Sequence, residues 1–350
     1  PLIQAPMAGG YTTPALVASV SNSGGLGSLA GALLKPEEIA AEAAAIRALT
    51  RAPFAINLFV PEPQPSVTDD EIKAAAEALA PIARELGIDP PRPVRAPTPD
   101  FAAQLEAVIA ARPAVASFVM GVPPDGSIAR LHAAGIKVIA TATSVNEAQA
   151  LAEAGVDAIV AQGSEAGGHR ACFQTTPADR LTGVHPLTQQ IARLIALPVI
   201  AAGGIMDGPG IAGAMAVGAG AVQLGTVFML AREAGTPPVL RMALTELRSD
   251  ISVISRAFTG KPARVIRNRF VELLEQSGVP ILPWPYQGPL TLAIRRAALK
   301  QERRDLMFVL IGQGAPFMRA MPAGSVASAI AVLTSTASAF SAVGPALWCA

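Results

Sequence analysis

Short runs of branched and apolar residues recur along the chain, each stopped by Gly, Asn or Pro. Alanine-rich segments with helical spacing separate most of them. The pattern predicts eight strands, at residues 2–5, 26–29, 54–58, 114–118, 136–140, 158–161, 199–202 and 221–224. Helices are predicted between them, among others at 14–22, 36–49, 144–154, 186–196 and 208–217. Strictly alternating strands and helices give parallel strands with crossover helices, and eight such units close a barrel. The expected fold is therefore α/β, a (β/α)8 TIM barrel, in preference to an open doubly wound sheet.

Two connections are too long for a minimal barrel. One opens with Pro61-Glu62-Pro63-Gln64-Pro65, continues as a helix over 69–86 and ends in a second proline-rich stretch, 89–93. The other follows the eighth strand. Both leave C-terminal strand ends, so both should project over the mouth where barrel active sites lie. The expected division is a barrel of residues 1–60, 101–229 and 301–350. A mostly helical substrate cap would be formed by the two insertions, 61–100 and 230–300.

Composition narrows the function classes. With 27 basic and 26 acidic residues among 350, the net charge is +1, which suggests neither nucleic acid nor an anionic membrane as partner. Charged residues make up 15% of the chain, against about 25% in an average soluble protein. Cys172 and Cys349 have no paired spacing, so a disulfide framework or thiolate metal site is not expected and a reducing cytoplasm is. Apolar surface is compatible with a homodimer. The uncharged stretch 321–350 alternates Ala with Ser/Thr too often for a membrane span and reads as a packed helix followed by a tail.

The turns after the seventh and eighth strands carry the strongest chemical signal. Gly203-Gly204 leaves one and Gln223-Leu224-Gly225-Thr226 the other. Glycines there let backbone N–H groups approach an anion, a following helix adds its positive end, and barrels commonly bind phosphate at this place. The second constellation, Gln162 to Arg170, follows the sixth strand. Gln162 can pair with the amide edge of a heterocycle, Gly167 and Gly168 permit close backbone contact, and His169 is a candidate base. His132 and His185 lie in or at the start of helices and read as ordinary surface residues. With three scattered histidines, no metal-ligand spacing is present and no metal is expected. Gly25-Leu26-Gly27-Ser28-Leu29-Ala30 fits GxGxxA as text, but its helix-then-strand order is the reverse of a dinucleotide site. The basic run Lys261, Arg264, Arg267 and Arg269 reads as a solvated helix face.

Taken in order, several of these segments resemble the nitronate monooxygenase (2-nitropropane dioxygenase) family. They are Gln4 to Gly10, Ser21 to Gly27, Asn57-Leu58-Phe59, Gln162 to Arg170, Ala201 to Gly208, Gln223 to Thr226, Gly260 to Arg264 and Gly312-Gln313-Gly314. The resemblance implies flavin mononucleotide (FMN) without NAD(P)H. It implies that Pro6, Met7, Ala8, Asn57, Gln162 and Gly167 meet the ring and ribityl portions, with Gly168 beside them. Gly203, Gly204 and Gln223 to Thr226 would lie toward the phosphate, and His169 matches the family's catalytic histidine. Where some members have a histidine in Ser-Phe-His-Phe-Gly, this chain has Val119 in Ser117-Phe118-Val119-Met120-Gly121, which implies an apolar wall. The family's cap residues are partly matched by Pro283-Trp284-Pro285-Tyr286-Gln287, which makes Tyr286 a further pocket candidate.

The implied reaction is oxidation of an alkyl nitronate, or its neutral nitroalkane, by dioxygen to a carbonyl compound and nitrite. The competing reading is an FMN-dependent reductase taking hydride from NAD(P)H to a quinone or enoyl thioester on the same barrel.

Overall fold

The computed structural model describes residues 1–92, 100–174, 181–276, 278 and 280–325. Most of the stretch expected to form a terminal helix and tail lies outside these residues. Among the described residues there are eleven strands: β1 (Leu2–Gln4), β2 (Gly27–Ala30), β3 (Phe54–Phe59), β4 (Val115–Val119), β5 (Lys137–Ala142), β6 (Ala158–Gln162), β7 (Gly168–His169), β8 (Val199–Ala202), β9 (Ala221–Leu224), β10 (Ser252–Ser255) and β11 (Ala263–Ile266). Eight of them form one parallel sheet in the order β1-β9-β8-β6-β5-β4-β3-β2. A parallel bridge from Ile3 to Leu26 joins its two edges and closes the barrel. These are the eight strands that the apolar runs predict. The barrel interior is filled by Ile3, Leu26, Ala55, Val115, Ile139, Val160, Ile200 and Ala221.

Local signals explain where the helices start. Pro14 opens α1 (Pro14–Asn22), and the Thr13 hydroxyl accepts from Leu16 N–H. Thr68 and Glu71 form a reciprocal capping box at α3 (Asp69–Glu85), after α2 (Pro36–Leu49). Helices α4 (Phe101–Ala111), α5 (Ser127–Ala133) and α6 (Val145–Glu153) follow, the last capped by Ser144. Helix α7 (Val184–Leu194) begins two residues before the predicted start. Its cap is remote: the Glu165 carboxylate accepts from Val184 N–H at 2.9 Å. The glycines of the rejected dinucleotide motif have a packing role. A Cβ on Gly27 would sit 2.2 Å from the Val17 carbonyl oxygen, so α1 lies on β2 closer than any side chain allows.

The second insertion differs from its expected form. After α8 (Gly208–Ala216) and β9, it contains α9 (Pro238–Thr245), the β10–β11 hairpin, α10 (Arg269–Gln276) and α11 (Gln287–Lys300). β11 pairs antiparallel with β7, setting Ala263 opposite His169 and Arg264 opposite Gly168. The cap is thus anchored to the barrel by a small three-stranded sheet as well as by helices. The basic run is not a solvated helix face either. Lys261 and Arg264 are buried, Arg264 within β11, while Arg267 and Arg269 are exposed and paired with Glu272 and Glu85. The insertions also hold each other. α3 packs against α11, Lys261 Nζ meets Glu62 at 2.6 Å, and Gln301 Nε2 donates to the Leu86 carbonyl at 2.7 Å. One apolar cluster runs from Leu16 and Val222 of the barrel to Leu79, Phe258 and Ile294 of the insertions, so barrel and insertions share a core.

Candidate active site

A cleft opens at the C-terminal ends of the strands and encloses about 1260 Å³ of space, counted out to its mouth. The structure brings together Pro6, Met7, Ala8, Asn57, Val119, Gln162, Gly167, Gly168, His169, Gly203, Gly204, Gln223, Leu224, Gly225 and Thr226, all of which line it. Tyr286 does not. Its side chain is buried in the apolar core, and its neighbour Trp284 approaches the site instead, 5.6 Å from His169 and 6.5 Å from Phe59 between ring centroids.

Among the described residues, no Lys, Arg, Asp or Glu lines the cleft. Its polarity comes from backbone groups and neutral side chains. The N–H groups of Gly203, Gly204, Gly225 and Thr226 have no protein acceptor among the described residues. They are free donors of the kind that cradle an anion without a charged side chain. The start of α8 adds little to them, because Asp207 already accepts from Gly210 N–H at 2.9 Å. The segment after α11 fixes the turns: Gly312 N–H donates to Thr226 Oγ1 at 3.0 Å and Gln313 N–H to the Glu165 carbonyl at 3.0 Å. This crossing requires Gly167, since a Cβ there would lie 2.5 Å from the backbone of Ile311.

A polar layer crosses the otherwise apolar barrel, and its members Asn57, Thr141, Gln162 and Gln223 line the cleft. Gln4, Ser28, Asn57, Ser117 and Thr141 are buried on five successive barrel strands, and Gln162 and Gln223 are half-buried on β6 and β9. Asn57 Nδ2 donates to Ser117 Oγ at 3.0 Å, and Gln4 Oε1 accepts from Ser28 N–H at 2.9 Å. Thr141 lines the cleft and was not among the expected site residues; its signal was a polar residue in an apolar run where a barrel interior favours Val, Ile or Leu. Tyr11 also lines the cleft, and burial pushes its phenol up to about 12.

The His169 side is tied down on every edge. Gln162 Nε2 donates to the His169 carbonyl at 3.0 Å, and its Oε1 accepts from Ala171 N–H at 2.9 Å. Most of that amide therefore serves the loop, leaving less for a heterocycle than expected. Arg170 Nη1 donates to the carbonyls of Gln162 and Gly163 at 3.2 and 2.5 Å, and Arg170 N–H to that of Pro262 at 2.8 Å. His169 Nε2 lies 2.9 Å from Thr259 Oγ1. Burial, then the nearby Lys261 and Arg295 cations, lower the imidazole from 6.5 to about 4, so it is neutral at physiological pH.

The site has the parts that a flavin nucleotide requires. Free backbone donors and a side-chain amide on Gln223 suit a phosphate and a ring amide edge, and the open space beside Gly168 leaves room for a flat ring. Nothing charged in the lining opposes an anionic ligand.

The nitronate monooxygenase family model matches residues 1–336. Probable nitronate monooxygenases of Staphylococcus aureus are 41% identical over 332 residues, which is 94% of this chain and 93% of theirs. Among solved structures, a nitroalkane oxidase from Streptomyces ansochromogenes is 36% identical, with a TM-score of 0.89 over 97% of each chain. FabK from Thermotoga maritima is more distant, at 26% identity and a TM-score of 0.73, over 97% of this chain and 94% of that one. The protein is an oxidoreductase of TIM-barrel fold, and it belongs to the nitronate monooxygenase family.

Proposed function

We propose that this protein oxidises alkyl nitronates, or the corresponding neutral nitroalkanes, with dioxygen, giving a carbonyl compound and nitrite, and that its flavin is FMN. The observation that carries the reading is one cleft with glycine-turn donors unpartnered among the described residues at one end and a half-buried neutral histidine at the other. When bound, the flavin supplies the redox chemistry, accepting electrons from the substrate and passing them to dioxygen. The chain supplies the rest. Gly203, Gly204, Gly225 and Thr226 would hold the phosphate through backbone N–H groups, and Gln223, Gln162 and Asn57 would face the ring and ribityl portions. Pro6, Met7, Ala8, Gly167, Gly168 and Leu224 would shape the walls around it.

His169, neutral and fixed, accepts the α-proton of a nitroalkane or orients a nitronate that arrives already ionised. Lys261 and Arg295 act on it through space and favour an anion in its neighbourhood. Val119, Phe59 and Met120 give an apolar wall suited to an alkyl chain. The two insertions, latched by Lys261 and Glu62, close the substrate end against water. A reducing compartment such as the cytoplasm suits the free, buried thiol of Cys172.

The test is direct. Denaturing the purified protein should release FMN, identified by mass spectrometry, and turnover of alkyl nitronates should consume oxygen and form nitrite. Release of FAD alone would refute the cofactor assignment. No nitrite from any short-chain nitronate would refute the reaction.

A further inference from the structure

The turn between β10 and β11 is held with unusual completeness for a loop above an active site. Gln287 Nε2 donates to the Ala257 carbonyl at 3.0 Å, and Thr291 Oγ1 donates to the Phe258 carbonyl at 2.6 Å. Gly260 N–H donates to the Arg256 carbonyl at 2.8 Å, and Arg256 Nε returns to the Gly260 carbonyl at 3.0 Å. Gly260 has φ +81°, and a Cβ there would lie 2.3 Å from the Leu282 carbonyl oxygen, so the turn rests directly on the segment leading to Trp284. Thr259, at its centre, is buried and cannot follow a mobile ligand.

Its hydroxyl has one proton and two lone pairs. The proton has an acceptor in the Lys261 carbonyl, 3.3 Å away. Toward His169 Nε2, at 2.9 Å, the oxygen then offers a lone pair. With the hydroxyl proton so placed, the imidazole donates along that line, which puts its proton on Nε2 and leaves Nδ1 as the acceptor. Nδ1 has no protein partner among the described residues, and His169 lines the cleft. Among the described residues no carboxylate bonds to the ring; the charged groups acting on it are Lys261, itself paired with Glu62, and Arg295.

We propose that Thr259 is a positioning residue that fixes His169 as its Nε2–H tautomer, so that Nδ1 is the nitrogen available to a bound molecule. The chemical use of Nδ1 rests on the function proposed above. The tautomer does not, so the two readings fail separately. The chain contains three histidines, His132, His169 and His185, which makes nitrogen-15 histidine NMR of the whole protein tractable. The His169 signals are those that vanish in His169→Asn. At pH 7 the wild type should show a protonated Nε2 and an unprotonated Nδ1. A hydrogen bond of ordinary strength biases the tautomers by about fivefold to tenfold. Thr259→Val should lose that bias and show both forms, whereas Thr259→Ser should restore the wild-type pattern. A wild-type His169 protonated on Nδ1, or a Thr259→Val spectrum identical to wild type, would overturn the proposal. Should Thr259→Val not fold, Thr259→Ala, which also removes the hydroxyl, takes its place with the same two outcomes.

Discussion

The two ends of the cleft are built on opposite plans. At the turns after β8 and β9, four backbone N–H groups have no protein acceptor among the described residues. Around His169, the loop carbonyls, the Gln162 amide, the imidazole Nε2 and the adjacent hairpin are joined to one another. The first end leaves half-buried donors open to the cleft, where a bound anion or solvent can meet them. The second is complete beforehand and holds one nitrogen in place, as a catalytic group needs.

That contrast predicts different failures. His169→Asn should leave flavin content unchanged while turnover of a neutral nitroalkane falls by about 10²–10⁴-fold. A preformed nitronate needs no base and should suffer far less, as separate steady-state assays on both substrates would reveal. Equal losses on the two would mean that His169 positions the substrate without taking a proton.

Gly225→Val attacks the other end. Gly225 has an ordinary negative φ, and a Cβ would meet only Ala5 Cβ at 3.5 Å, so the fold should survive. The branched side chain would occupy space beside the free donors, and flavin affinity should fall by about tenfold or more, since a lost charge-assisted hydrogen bond is worth roughly 1.5–3 kcal/mol. Flavin content after dialysis measures it; full occupancy would place the phosphate elsewhere.

A smaller effect concerns acid stability. His169 titrates near 6.5 when unfolded and at about 4 when folded, so between these values the unfolded chain binds the additional proton. Stability should therefore decline as pH falls through that window and be fully present above it. Thermal melts of wild type and His169→Asn should diverge there, the wild type losing more. The smallest effect is expected from Tyr286→Phe, which should leave KM unchanged because Tyr286 lies in the apolar core. A clear change in KM would return that residue to the site.

The comparison also explains what the sequence could reveal. Apolar runs stopped by Gly, Asn or Pro announced all eight barrel strands, and Gly203-Gly204, Gly225 and the Gly167-Gly168-His169 stretch announced the two ends of the cleft. These are local signals. The strand at Gly168–His169 was not visible because its partner, Ala263–Ile266, lies far along the chain. The early start of α7 was hidden for the same reason, its cap being Glu165. Trp284 and Tyr286 are two residues apart, and only the packing of the 282–284 segment on Gly260 decides which approaches His169.

The central claim is that the tied-down histidine end serves a small oxidisable substrate and not a nicotinamide. Anaerobic mixing tests it in one experiment, with flavin absorbance followed after addition of an alkyl nitronate and, separately, of NADH or NADPH. Rapid bleaching by the nitronate, with almost none by either nicotinamide, is the predicted result. Rapid bleaching by NADH or NADPH, with none by any nitronate tried, would contradict the account and assign the same barrel to a reductase.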